Sequence, residues 1–272
     1  MEEYFAANRA GWDERVGIHL RDDGRIYGLD AIRRGESVLG PIEAAEIGDI
    51  SGMKVAHLQC HFGLDTISLS RLGATVTGLD FSPVAIATAR QMAAEMGDAV
   101  TFVESNVYDA PAAIGTDFDM VFTGWGAIGW LPDLDRWARA VAGCLRPGGK
   151  LYLIEGHPML GILDEREGRI EPAFDWRTPA DQPLVFDMPD TYAGDGSRLK
   201  NARVYEWNHP MSRIVTSLLD AGLVIVFVHE HEMLPWRAFP SMVPAGTRMF
   251  RLPDGAVKFP LAYSIRAKRT KR

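Results

Sequence analysis

The stretch "VTGLDFSPVAIATARQMAAEMG", residues 76–97, decides how the rest of the chain reads. "VTGLD" closes the strand-like run "TVTGLD", which stops at an acidic residue. Ser82 is a natural N-cap, Pro83 fits the first helical position, and Gly97 ends an alanine-rich helix. Strand, short loop and helix follow one another here within 22 residues. Working outward, "KVAHLQ" (54–59) leads through a loop into the helix "DTISLSRLG" (65–73). "VTFVES" (100–105) and "FDMVFTG" (118–124) are a third and fourth strand. "DLDRWARAVAGCL" (133–145) is a helix, "RPGG" (146–149) a turn, and "KLYLIEG" (150–156) a fifth strand. This alternation predicts an α/β fold with a doubly wound, mostly parallel sheet and helices on both faces. Right-handed crossovers put every strand's C-terminal end on one edge, where ligands bind.

The flanks differ in texture. Residues 1–48 are predicted to form an N-terminal helical cap, with Tyr4, Phe5, Trp12 and Val16 at near-helical spacing. Residues 49–272 hold the remaining fold, interrupted at about 158–205 by a Pro-, Asp-, Gly- and Arg-rich insertion. Beyond it the pattern returns to a helix and two strands. Net charge is −7, which disfavours nucleic acid as a partner, and the basic end Lys268, Arg269, Lys271, Arg272 reads as a solvated tail. Cys60 and Cys144 are too few for a disulfide framework. The N-terminus is acidic and amphipathic, and apolar runs such as "GLVIVFV" are only strand-length. A cytoplasmic protein with neither leader nor membrane contact is expected.

Candidate ligand contacts sit at the predicted strand tips. The loop after the first strand, His57 to Gly63, opens a helix where backbone approaches a nucleotide-like ligand. It lacks GxGxxG and the phosphate-gripping P-loop, so dinucleotides and nucleoside triphosphates are poor candidates. Asp80, at the second tip and roughly 20 residues on, is placed to accept from both hydroxyls of a ribose. Phe81 offers a wall for an adenine face, and Asn106 and Val107 an edge contact and a packing surface. "TGWGAIGW" (123–130) supplies glycines for close approach and tryptophans able to face a cation.

With these motifs in view, the chain resembles the class I S-adenosylmethionine-dependent methyltransferase family. The resemblance covers about 50–157 through "VAHLQCHFG", "VTGLDFSP", "VTFVESNVYD", "FDMVFTG" and "CLRPGGKLYLIEG", and extends to "IVTSLLDAGLVIVFVHE" and "PLAYSIRAKR". It implies a seven-stranded, Rossmann-like methyltransferase sheet whose last strand is antiparallel, and S-adenosylmethionine as cofactor. It also implies cofactor contacts at His57, Gln59, Cys60, His61, Gly63, Asp80, Phe81, Ser82, Asn106, Val107, Thr123 and Gly124. One departure stands out. Where the family usually shows an acidic residue and two glycines, this chain has His57, Gln59 and His61, which looks like a bacterial subgroup with an "LQCHFG" first loop.

Methyl transfer from a sulfonium is an in-line displacement, so the protein mainly aligns the reactants and excludes water. No metal is expected, because His57, Cys60 and His61 on a tight loop make poor tetrahedral ligands. A proton-bearing acceptor needs a base, for which His157 in "EGHP" comes first and His209 second. His229, His231, Glu155 and Glu230 are further possibilities. The aromatic cap and insertion suit a lid over a small-molecule acceptor. The alternatives are S-adenosylmethionine binding without methyl transfer, or a methyltransferase acting on RNA or protein.

Overall fold

The computed structural model describes residues 2–22, 24 and 26–270, so Lys271 and Arg272 of the basic tail lie outside the described residues. Three helices open the chain: α1 (Glu2–His19), α2 (Leu29–Arg33) and α3 (Pro41–Glu46). Strands and helices then alternate as β1 (Lys54–Leu58), α4 (Leu64–Arg71), β2 (Thr75–Asp80), α5 (Pro83–Met96), β3 (Thr101–Glu104), α6 (Ala110–Ile114), β4 (Phe118–Thr123), α7 (Leu134–Cys144) and β5 (Leu145–Gly156). β6 (Leu163–Arg166) and β7 (Arg169–Pro172) make a hairpin, and β8 (Leu184–Asp187) pairs with β9 (Arg203–Glu206). α8 (Met211–Asp220), β10 (Leu223–His231), the short pair β11 (Val243–Pro244) and β12 (Phe250–Arg251), and β13 (Ala262–Arg269) complete the order.

Seven strands form one sheet in the order β10-β13-β5-β4-β1-β2-β3. Only β13 runs antiparallel to its neighbours β5 and β10. Successive side chains leave a strand on opposite faces, and burial follows that period. Ala56, Leu58, Leu151 and Leu153 join the core beneath α7 and α8, with Trp137 fully buried there. Val55, Tyr152 and Ile154 join the opposite core with Ile42 and Ile47 at α3. A sheet buried on both sides accounts for the near-continuous apolar runs of its central strands.

The start and stop signals of α5 act as read. Ser82 Oγ accepts from the Ala85 N–H at 3.0 Å, and Gly97 takes the left-handed cap at φ 73°. The "RPGG" stretch differs from expectation, since it lies inside β5 instead of before it. Leu145 pairs with Phe118 and Lys150 with Met120, so Arg146–Gly149 bulge out between two paired positions. At the chain's start, α1 packs on β9 and α5. Its Asn8 amide donates to Tyr205 O and accepts from Tyr205 N–H, both at 2.8 Å. Among the described residues, no helix is long and apolar enough to cross a membrane.

Candidate functional site

A partly open cavity of about 1190 Å³ runs along the C-terminal edge of the sheet. Its first wall is the loop between β1 and α4. Gln59 and His61 adopt left-handed backbone there, φ 58° and 49°, a region that costs a non-glycine residue about 1–2 kcal/mol. These are two of the three loop positions, His57, Gln59 and His61, singled out in the sequence. Compensation is visible at both: Gln59 Nε2 donates to Ala127 O at 2.8 Å, and the His61 N–H donates to Asp80 Oδ2 at 2.8 Å. Gly63 is required by contact as well as conformation. A Cβ there would lie 2.6 Å from the Phe102 ring, at φ 84°. Cys60 turns inward, its N–H bonded to Leu79 O and its Sγ 3.0 Å from where a Gly78 Cβ would sit. Burial pushes its thiol well up.

Asp80 is the carboxylate at the centre of this edge. Besides the His61 amide it accepts from the Ser82 N–H at 2.9 Å. Burial raises it to about 6 against the pull of these backbone bonds. Phe81, Asn106, Val107 and Gly124 line the same cavity. Asn106 Oδ1 also caps a short turn by accepting from the Tyr108 N–H at 3.0 Å.

Two expected contacts lie off the cavity wall. Ser82 Oγ is engaged by Ala85 and donates to Asp13, tying α5 to α1. Thr123 is fully buried within β4, its hydroxyl without a partner among the described residues. The loop beyond Gly124 is held from below. Glu155, at the tip of β5, accepts from the N–H groups of Gly126, Ala127, Ile128 and Gly156 at 2.6–3.1 Å. This carboxylate shapes backbone and has no lone pair to spare for a ligand.

The structure adds three polar residues that sequence reading passed over. Glu43 of α3 and Asp65 of α4 line the cavity beside Arg248, whose guanidinium donates to Val38 O at 3.0 Å. A Cβ on Gly124 would lie 3.6 Å from Asp65 Oδ2, which places that carboxyl against the fourth tip. Burial, then Glu43, raises Asp65 to about 7 while Arg248 opposes. Glu43 Oε1 accepts from Trp125 Nε1 at 2.7 Å, and Oε2 is buried without a partner among the described residues. Asp65 in the first helical turn was the one local signal. Glu43 and Arg248 are separated by 205 positions, so no sequence pattern joins them.

Both expected bases line the cavity, in different states. His157 Nδ1 accepts from the Met159 N–H at 3.1 Å and Nε2 faces Glu230 at 3.2 Å, so neither ring nitrogen offers a lone pair. His209 Nε2 donates to Leu131 O at 2.8 Å, which leaves Nδ1 unprotonated, and burial lowers the ring to about 4. His57 is a core residue, 2.8 Å from Thr66 Oγ1 and lowered to about 3 by burial. His229 and His231 instead face Glu46 of α3. Among the described residues no cluster of His, Cys, Asp or Glu is arranged to hold a metal.

The family model described as methyltransferase domain matches residues 56–151, the segment that carries β1 through the main part of β5. Residues 56–151 are thus the part of the chain that is similar to a methyltransferase domain. An O-methyltransferase of ubiquinone biosynthesis from Xanthomonas euvesicatoria is 32% identical over 132 residues, 47% of this chain and 55% of that protein. The corresponding Escherichia coli protein is 33% identical over 109 residues, 40% of this chain and 45% of that one. The chain thus spans about half the length of the curated relatives it matches. Solved structures extend the likeness across the fold. An S-adenosylmethionine-dependent methyltransferase from Mesorhizobium loti covers 84% of this chain and 96% of its own, with TM-score 0.59 and 20% identity. A glycopeptide N-methyltransferase complexed with S-adenosylmethionine covers 83% and 90%, with TM-score 0.53 and 19% identity. The matched segment carries the strand tips from β1 to β4 that line the cavity. α1, residues 188–209 and residues 235–249 supply the opposite wall.

Proposed function

We propose that this chain transfers a methyl group from S-adenosylmethionine to a small-molecule acceptor. The observation that carries the reading is the Asp80 carboxylate, held by two backbone amides in the wall of a cavity at the switch edge of the sheet. In this reading Asp80 takes the ribose hydroxyls, while Phe81, Asn106 and Val107 enclose the purine. Asp65 and Glu43 face the ammonium of the methionine part, and Arg248 its carboxylate. The donor set fits: a buried carboxyl oxygen of Glu43 and the amide oxygen of Gln59 lack partners among the described residues, and both belong to residues of this wall. The cofactor brings an electrophilic methyl on a sulfonium. The chain contributes alignment and exclusion of water. The cap 1–48 and the insertion at about 158–205 act as the lid over the domain 49–272, and His209 Nδ1 accepts a hydrogen bond from the acceptor. A cytoplasmic location without nucleic-acid partners belongs to the same reading.

Calorimetry with S-adenosylmethionine and its demethylated product tests it. Micromolar binding, about −8 kcal/mol, is expected, weakened roughly 10- to 100-fold in Asp80→Ala by the loss of charge-assisted hydrogen bonds. A folded protein that binds neither ligand would end the methyltransferase reading.

A further inference from the structure

Two opposite charges in the acceptor-side wall lie within each other's field but lack hydrogen-bond partners among the described residues. Arg15 of α1 is only 3% exposed, and its Nη1 is buried without a hydrogen bond among the described residues. Room for it is made within the helix, since a Cβ on Gly11 would lie 2.8 Å from that nitrogen. Its guanidinium lies 5.3 Å from the Trp12 ring centroid. Glu206, at the end of β9, also faces the cavity, and no protein hydrogen bond engages its carboxyl among the described residues. Strand and neighbours hold both residues in place. Asn8 brackets Tyr205 on one side of Glu206, and the Trp207 N–H donates to Gly129 O at 2.8 Å on the other. A buried guanidinium and a half-buried carboxylate, both without hydrogen bonds in one cavity wall, are costly in the empty protein and call for a ligand that completes both.

We infer that Arg15 and Glu206 clamp the acceptor's nucleophilic oxygen, and that the acceptor is a flat small molecule bearing an acidic hydroxyl, a phenol or an enol. This rests on the methyltransferase reading above. One protic oxygen satisfies both groups, donating its hydrogen to Glu206 and accepting from Arg15. The O–H bond breaks toward the Glu206 carboxylate and the electron pair stays on oxygen. That pair forms the new C–O bond as the C–S pair remains on sulfur, and Glu206 returns the proton to water. Trp12 and Trp130, whose ring centroids are 5.2 Å apart, join Trp207 and Tyr192 as walls for a planar acceptor. Burial lifts Glu206 to about 7 with Arg15 opposing, which suits a base for a phenol of pKa about 10 but not for an aliphatic alcohol. The other ionisable groups around Arg15 are Tyr27, Tyr192, Glu14, His19 and His61. Burial raises Tyr27 and lowers both histidines, which keeps these three neutral, with Arg15 adding to the effect on the histidines.

The test uses the whole chain loaded with S-adenosylhomocysteine and 4-nitrophenol as probe, whose absorption band reports its own ionisation. The wild type is expected to bind the probe and to alter its titration midpoint. Glu206→Gln leaves Arg15 unopposed and lowers the bound probe's midpoint by about one to three pH units. Arg15→Gln raises it by a similar amount. Probe binding with midpoints that stay put, or that move in the same direction in both variants, overturns the clamp. So does a protein that binds S-adenosylhomocysteine but not the probe. Failure to bind S-adenosylhomocysteine at all points instead at the methyltransferase reading.

Discussion

The two sides of the cavity are built on different principles. In the proposed reading the cofactor side comes mainly from residues 57–130, in which strand tips and loops follow one another along the chain. Its central carboxylate is bonded to amides 19 and 2 positions away. The acceptor side assembles α1, the strand β9 and the tip of β13, elements far apart in the chain, and both sides hold polar atoms unpartnered among the described residues: Arg15 Nη1 and the Tyr263 hydroxyl here, Glu43 Oε2 and Gln59 Oε1 there. A site for a shared cofactor can be centred on a carboxylate that local backbone amides hold. A site for a particular acceptor draws its side chains from elements that only the topology brings together, which is why function sits in grafted residues and not in the fold.

The contrast can be broken most forcefully at Glu155, which serves both sides through the loop Gly126–Ile128. Glu155→Ala strands four backbone N–H groups and is expected to cost about 3–5 kcal/mol in chemical denaturation. A loss below 1 kcal/mol would show that the loop holds its shape unaided. Asn8→Ala comes next, because it removes the paired bonds between α1 and β9. A stability loss of about 2 kcal/mol is expected, with faster amide exchange at Tyr205. Affinity for S-adenosylmethionine should stay within about threefold. A tenfold fall would mean that the two sides form one mechanical unit.

The smallest effect is a pH dependence confined to the cofactor side. Asp80 is ionised above about pH 6 and protonated below it, and Asp65, at about 7, changes in the same direction. A carboxylate that accepts from ribose hydroxyls binds best when ionised. Affinity for S-adenosylmethionine should therefore be full above both values and decline as pH falls through them, by at most about tenfold per unit for each group. Asp80→Asn should remove the lower part of that decline in calorimetry at stepped pH. An unchanged profile would assign it to Asp65.

The sheet was legible because each unit carries its own start and stop chemistry. Ser82, Pro83 and Gly97 bound α5 without help from distant residues, and the apolar strands announce burial on both faces. Asp80 was legible for the same local reason, since it ends a strand and precedes a capped helix. Arg146–Gly149 were read as a turn because Pro and Gly are turn residues, whereas pairing on both sides absorbs them into β5 as a bulge. Ser82 was expected at the ligand, yet its hydroxyl is taken up by Ala85 and Asp13.

From sequence alone came the α/β architecture, the edge of the sheet where ligands bind, and the carboxylate at the second strand tip. These depend on residues within one turn or one strand of each other. Only the tertiary structure decided which histidine keeps a lone pair, because His157 is closed by Met159 and Glu230, while His209 is oriented by Leu131, 78 positions away. Only the tertiary structure brought Glu43 and Arg248 to Asp65, and Arg15 into the field of Glu206. Such pairings follow from how helices and loops pack across the sheet, and that packing leaves no periodic trace in the chain.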